Sequence, residues 1–251
     1  MDNTQRFNNR VENYAAFRPG YPAQVVTYLQ EKHGLGVDKT LADVGAGTGI
    51  STALFLKAGY TVMAVEPNME MLDKATETLG KYPGFHAVHA TAEDTTLQTA
   101  SVDAVIAGQA FHWFHVEKSK TEFQRILKPG GLAVLIWNER RVHTPFEQEY
   151  EVLINHHGKD YVKVQHRNID MAHLKAFFTP HAVELEIFTN EQVFDLDGLK
   201  GRLSSSSYMP LNSDAGYPAM MQDLEQLFDK YKENGFIKIS YETKVYTGTL
   251  K

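Results

Sequence analysis

The stretch Thr40-Leu41-Ala42-Asp43-Val44-Gly45-Ala46-Gly47-Thr48-Gly49-Ile50 decides how this chain folds. A short apolar run meets a glycine turn, and a helix follows with Ile50, Ala53, Leu54 and Ala58 on one face. Gly45 and Gly47 reach backbone angles closed to other residues and let the main chain approach a ligand closely. The amides that open the next helix lack intrahelical partners and lie at its positive end. Such a turn suits a polar or anionic part of a nucleotide-like molecule. The following apolar run, Thr61 to Val65, ends at Glu66, where an acid grips ribose hydroxyls. A dinucleotide fingerprint would put its third glycine at position 50. That residue is Ile50, and the glycine stands at 49.

Working outward, Pro67-Asn68 opens a helix with Met71, Leu72, Ala75 and Leu79 on one side, and Pro83-Gly84 ends it. Phe85 to Ala90 reads as a third strand. Its His86 and His89 fall on opposite faces, which excludes chelation there. Thr91-Ala92-Glu93-Asp94 then occupies the carboxyl end, where an open parallel sheet binds its ligand. Val102 to Ala107 is the fourth strand and runs into Gly108-Gln109-Ala110-Phe111-His112-Trp113-Phe114-His115. His112 and His115 have no carboxylate or thiolate at ligand spacing, so no metal site is expected. A helix over Val116 to Leu127, a turn at Lys128-Pro129-Gly130-Gly131 and the continuous apolar run Leu132 to Trp137 complete five alternations. Right-handed crossovers and a parallel sheet covered on both faces follow from that rhythm.

The flanks differ. Residues 1–22 form an arm whose Pro19-Gly20 and Pro22 stop any helix. Past Trp137 come Asn138, Arg140 and Arg141, then helical patterns on Phe146, Tyr150, Leu153, Ile154 and on Met171, Leu174, Phe177, Phe178. They read as a small helical cap over about residues 140–180. Val183, Leu185 and Ile187 alternate with Glu184 and Glu186, the pattern of a strand wet on one face near a sheet edge. Asp195 to Leu203 is a short helix ending in Ser204-Ser205-Ser206-Ser207-Tyr208-Met209-Pro210, whose hydroxyls suit a polar group. Met220, Met221, Leu224, Leu227, Phe228 and Tyr231 mark an amphipathic core helix, and Tyr241 to Thr249 a closing strand.

Composition narrows the classes. The 251 residues suit a single α/β domain with a sizeable interior. Twenty-five basic against 31 acidic residues, without a run of like charge, argue against nucleic acid and membrane surfaces as partners. The absence of cysteine removes disulfides and thiolate chemistry. With no apolar signal core at Met1 to Arg6, a cytoplasmic monomer or homodimer is the expectation.

Arg18-Pro19-Gly20-Tyr21-Pro22, Asp43 to Gly49, Val65-Glu66-Pro67, Ala92-Glu93, Gln109 to Trp113 and Arg125 to Gly131 together resemble the type 11 branch of class I S-adenosylmethionine (SAM) dependent methyltransferases. The chain is similar there to trans-aconitate methyltransferase-like proteins. The resemblance implies a Rossmann-like seven-stranded, mostly parallel sheet in the order 3-2-1-4-5-7-6, its last strand antiparallel, with helices on both faces. It implies transfer of a methyl group from SAM, leaving S-adenosylhomocysteine, to a carboxylate or hydroxyl of a small metabolite. Cofactor contacts carry over to Asp43, Gly45, Gly47, Glu66, Ala92, Glu93 and Gln109, although Thr91 stands where many members have aspartate. Tyr14 and Tyr21 offer ring faces to a sulfonium, and Arg18 offers a fork to a carboxylate. Tyr14 and His112 are the catalytic candidates, His112 as base for a hydroxyl or amine acceptor. Tyr21, His112, Trp113, Arg140, Arg202 and Tyr208 are the substrate-binding candidates, with the arginines as counter-charges for a carboxylate. Two other classes stay open: a SAM-binding protein without catalysis, and a nicotinamide-dependent oxidoreductase.

Overall fold

The computed structural model describes residues 11–159 and 171–251. The arm's first ten residues and positions 160–170 of the expected cap lie outside that description. Chain order is α1 (Val11–Phe17), α2 (Gln24–His33), β1 (Thr40–Val44), α3 (Ile50–Lys57), β2 (Thr61–Val65), α4 (Met69–Leu79), β3 (Phe85–Val88) and β4 (Val102–Gly108). A single 3₁₀ turn at Phe111–Trp113 precedes α5 (Val116–Ile126) and β5 (Leu127–Arg140). Then come α6 (Pro145–His157), α7 (Met171–Phe178), β6 (Glu184–Phe194), α8 (Leu196–Ser204), α9 (Tyr217–Tyr231) and β7 (Ile237–Thr249).

The seven strands form one sheet in the order β3-β2-β1-β4-β5-β7-β6. β1 to β5 run parallel, and β7 lies antiparallel between β5 and β6. The central strands bury both faces because side chains alternate across a pleated strand. Val105, Ala107, Ala133, Leu135 and Trp137 turn to one side, where they meet Phe123, Leu174, Phe177 and Phe178. Ala104, Ile106, Val134 and Ile136 turn to the other, against Val25, Val26 and Leu29 of α2 and Phe55 and Leu56 of α3. That double burial is why these strands read as unbroken apolar runs.

A second cluster joins Phe146, Tyr150 and Leu153 of α6 to Leu199 and Leu203 of α8 and to Met220, Leu224 and Phe228 of α9. The two helical patterns of the 140–180 segment therefore part company. α6 packs with α8 and α9, whereas Leu174, Phe177 and Phe178 of α7 are fully buried against the sheet beside Phe111 and Tyr246. β6 is the sheet edge, but Leu185 and Ile187 stay 43% and 47% exposed, so at this end both strand faces are wet. An edge strand has a neighbour on one side only, and the alternation marked an edge without marking a covered face. Among the described residues, no helix is long and apolar enough to cross a membrane.

Candidate active site

A cavity of about 370 Å³ opens at the carboxyl ends of β1, β2, β4 and β5. Its floor is the glycine turn. Gly45 and Ala46 both donate their amides to the Val65 carbonyl, which fixes the turn over the end of β2. Gly45, Gly47 and Gly49 all hold positive φ, at 71°, 57° and 85°. The Cβ directions of these glycines do not face a ligand. A Cβ on Gly45 would sit 2.5 Å from the Ala110 Cβ, one on Gly47 would sit 3.3 Å from Met71 Cε, and one on Gly49 would run into Leu79. The glycines thus admit the loop after β4 and helix α4, and Gly45 and Gly47 line the cavity with main chain alone. Spacing alone showed that Cβ atoms were excluded there, not which neighbour excluded them.

Glu66 faces the cavity from the end of β2 and is 7% exposed. Its Oε2 accepts from the Gly47 amide at 2.9 Å, and its Oε1 accepts from the Asn68 amide at 2.9 Å. Asn68 in turn caps α4 by accepting from the Met71 amide. Burial raises the pKa of Glu66 above the usual carboxylate range, and the two amide donors oppose that shift. Each carboxylate oxygen keeps a further lone-pair direction, so the carboxylate has capacity left for hydroxyl donors. Gln109, at φ 55°, donates to the Asn138 carbonyl through Nε2 while its buried Oε1 has no partner.

Asp43 occupies a different layer. It is fully buried and does not line the cavity. Its Oδ2 accepts from the Ser51 and Thr52 hydroxyls at 2.7 and 2.6 Å, while Oδ1 is unpartnered. Burial pushes its pKa up to about 6. Asp43 meets the space through Ser51, which does line it. The other predicted positions all line the cavity: Tyr14, Arg18, Tyr21, Ala92, Glu93, His112, Trp113, Arg140, Arg202 and Tyr208. Glu93 also accepts from the His115 amide, which anchors the turn before α5. His112 lies exposed at the mouth with its ring 4.5 Å from that of Trp113.

Another part of the lining is basic and aromatic. Arg18 stacks over the Tyr14 ring at 4.9 Å and donates from Nη2 to the Ser205 carbonyl. Arg202 donates to the Tyr241 hydroxyl and to the hydroxyls of Ser205 and Ser206. Burial, and then the charge of Arg202, lower the pKa of Arg18. Arg140 pairs with Glu151 and Lys244 with Glu139, but no carboxylate among the described residues pairs with Arg18 or Arg202. A buried guanidinium normally finds a counter-charge. Sequence reading passed over Tyr241, Lys244 and Tyr246 here, all from β7. The segment reads only as a β-branched strand, and the pairing of β7 with β5 brings these residues to the cavity. Away from this site, His156, His157 and Asp223 cluster on the surface, with Nε2 of His157 bonded to Asp223 at 2.7 Å.

With this geometry in view, the comparisons with known proteins converge. A family model described as a methyltransferase domain matches residues 42–135. This stretch is therefore similar to methyltransferase domains. An uncharacterized methyltransferase of Mycobacterium tuberculosis is 34% identical over 157 residues, 62% of each chain. An uncharacterized methyltransferase of Schizosaccharomyces pombe is 32% identical over 149 residues, covering 59% of this chain and 58% of the relative. The matched part thus spans about three fifths of these relatives' length. Among solved structures, one of a type II methyltransferase from Anaeromyxobacter dehalogenans superposes with a TM-score of 0.69 at 22% identity, over 94% of this chain and 99% of that one. A methyltransferase from an antibiotic biosynthesis pathway of Anabaena variabilis gives 0.62 at 25% identity, over 93% and 99%. The matched stretch runs from within β1 to within β5 and includes the glycine turn that floors the cavity.

Proposed function

We propose that this chain transfers the methyl group of SAM to a small anionic molecule, with a carboxylate as the acceptor. The observation that carries this reading is one cavity lined by two unlike groups. One is a buried carboxylate, Glu66, with hydrogen-bonding capacity to spare; the other is buried Arg202 with half-buried Arg18, whose partners among the described residues are all neutral. The residues fit the cofactor: Glu66 would hold its ribose hydroxyls, the Gly45–Gly47 main chain its methionine arm, and the unpartnered Oε1 of Gln109 a further donor. When bound, SAM supplies a methyl group already activated on a sulfonium. The protein's own part is to align the acceptor and exclude water. Arg18 and Arg202 would orient a carboxylate by paired N–H donors, and such an acceptor requires no base. α1 and the loop after α8 would form the roof over it.

Two measurements test this. Calorimetry with SAM and NADH in parallel should show heat for SAM alone; a preference for NADH replaces methyl transfer with hydride chemistry. Tritiated-methyl transfer across acids, phenols, alcohols and amines should label acids, and His112→Gln should leave the pH–rate profile unchanged. Label on alcohols or amines, with the acidic limb lost in His112→Gln, would establish His112 as a general base instead. Tight SAM binding with no transfer to any class would leave a binding protein.

A further inference from the structure

Asn138, at the end of β5, touches four separate parts of the chain. Its Nδ2 donates to the carbonyls of Gly20 and Pro19, at 2.9 and 3.4 Å. Its Oδ1 accepts from Asn190 Nδ2 on β6 at 3.1 Å and from Thr243 Oγ1 on β7 at 2.5 Å. Its main-chain carbonyl accepts from Gln109 Nε2. The side-chain orientation is fixed by chemistry, because the two arm carbonyls only accept and must face the amide nitrogen. Asn190 Nδ2 donates to the same Gly20 carbonyl at 2.8 Å, so two asparagines grip one peptide group of the arm. Asn138 is 8% exposed and uses all four side-chain hydrogen-bonding positions. The gripped peptide lies between Arg18 and Tyr21, both of which line the cavity.

Resting on the methyl-transfer reading, we propose that Asn138, seconded by Asn190, is a positioning residue: it seats the arm so that Arg18 and Tyr21 face the acceptor. Asn138→Asp is nearly the same size and keeps both acceptor bonds. It places an acceptor-only carboxylate against the Gly20 and Pro19 carbonyls, so the arm should be released while the sheet stays intact. Chymotryptic cleavage after Tyr14 or Phe17 should quicken about tenfold or more. The acceptor KM should rise about tenfold, with kcat held within roughly threefold. Asn190→Ala, on the sheet edge, should give the same pattern more weakly, which keeps the test open if the first variant folds poorly. The double variant should fall short of the product of the two effects, because both donors serve one carbonyl. Unchanged arm cleavage in both variants overturns the proposal, and so does a fall in kcat alone, the sign of a smaller folded fraction. Arm cleavage is read without any substrate. A wild-type chain that transfers no methyl group therefore defeats the functional reading and leaves the seating of the arm measurable.

Discussion

The acidic and the basic parts of the cavity lining, called here its Glu66 end and its arginine end, are built in opposite ways. The Glu66 end comes from residues near one another in sequence, the Gly47–Glu66 bond spanning 19 positions. The arginine end is assembled from both extremes of the chain: Arg18 reaches Ser205 across 187 positions, and Asn138 reaches Gly20 across 118. A local site is set by a turn and the helix after it, so backbone chemistry governs it. A long-range site depends on which elements the topology brings together, so side-chain charge and tethering govern it.

The largest expected effect breaks the local end through its backbone. Gly45→Ala must hold φ 71° with a Cβ 2.5 Å from that of Ala110. Left-handed geometry costs an alanine about 1–2 kcal/mol, and overpacking adds about 1–3 kcal/mol. Chemical denaturation should show a loss of about 2–5 kcal/mol. Gly47→Ala meets only the flexible end of Met71 and should lose less. Equal losses would mean that the Ala110 contact yields freely.

The next effect is electrostatic and belongs to the same end. Asp43 has a folded pKa of about 6 against an ordinary 3.8, because burial disfavours its charge. Between those values the folded state binds more protons than the unfolded one, so stability falls as pH rises through that window. The full difference approaches about 3 kcal/mol. Asp43→Asn should flatten the fall between about pH 4 and 6, as followed by denaturation at several pH values. A wild-type profile that rises through this window contradicts the sign.

What was legible in the sequence follows the same division. The turn, Glu66 and Gln109 belong to motifs with short internal spacing, the family resemblance implied the sheet order, and the structure has that order and places Glu66 and Gln109 at the cavity. Asp43 fell within the same motif, yet it serves the cavity from beneath, through Ser51. Spacing locates a residue on an element but does not say which layer it serves. α7 reads as cap by its helical periodicity, although a helix that covers a sheet carries the same stripe of Leu174, Phe177 and Phe178. Tyr241, Lys244 and Tyr246 have no local signature, since their role depends on Tyr241 pairing with Arg140 across β5 and β7.

Glu66→Ala then asks whether the two ends can be separated. Removing the carboxylate should weaken SAM binding by roughly 1.5–3 kcal/mol, the usual range for hydrogen bonds to a charged group. That corresponds to about 10- to 150-fold by calorimetry. The KM of the acceptor should move little. If both constants shift together, the two parts of the site are coupled through the turn and do not act independently.

The smallest effect in free energy tests the other end most directly. Arg202→Gln removes a buried charge that, among the described residues, bonds to the hydroxyls of Tyr241, Ser205 and Ser206. Loss of one charge-assisted contact to a carboxylate should raise the acceptor KM about tenfold, or about 1.4 kcal/mol, with SAM affinity unchanged. The stability of the free protein should hold or rise, because desolvating a guanidinium beside neutral partners opposes folding. A residue kept for its fold would show the reverse, with stability lost and KM unmoved. Denaturation and steady-state kinetics on this one variant thus decide whether the arginine wall is maintained for the substrate at the fold's expense, as strained or uncompensated groups in binding sites often are.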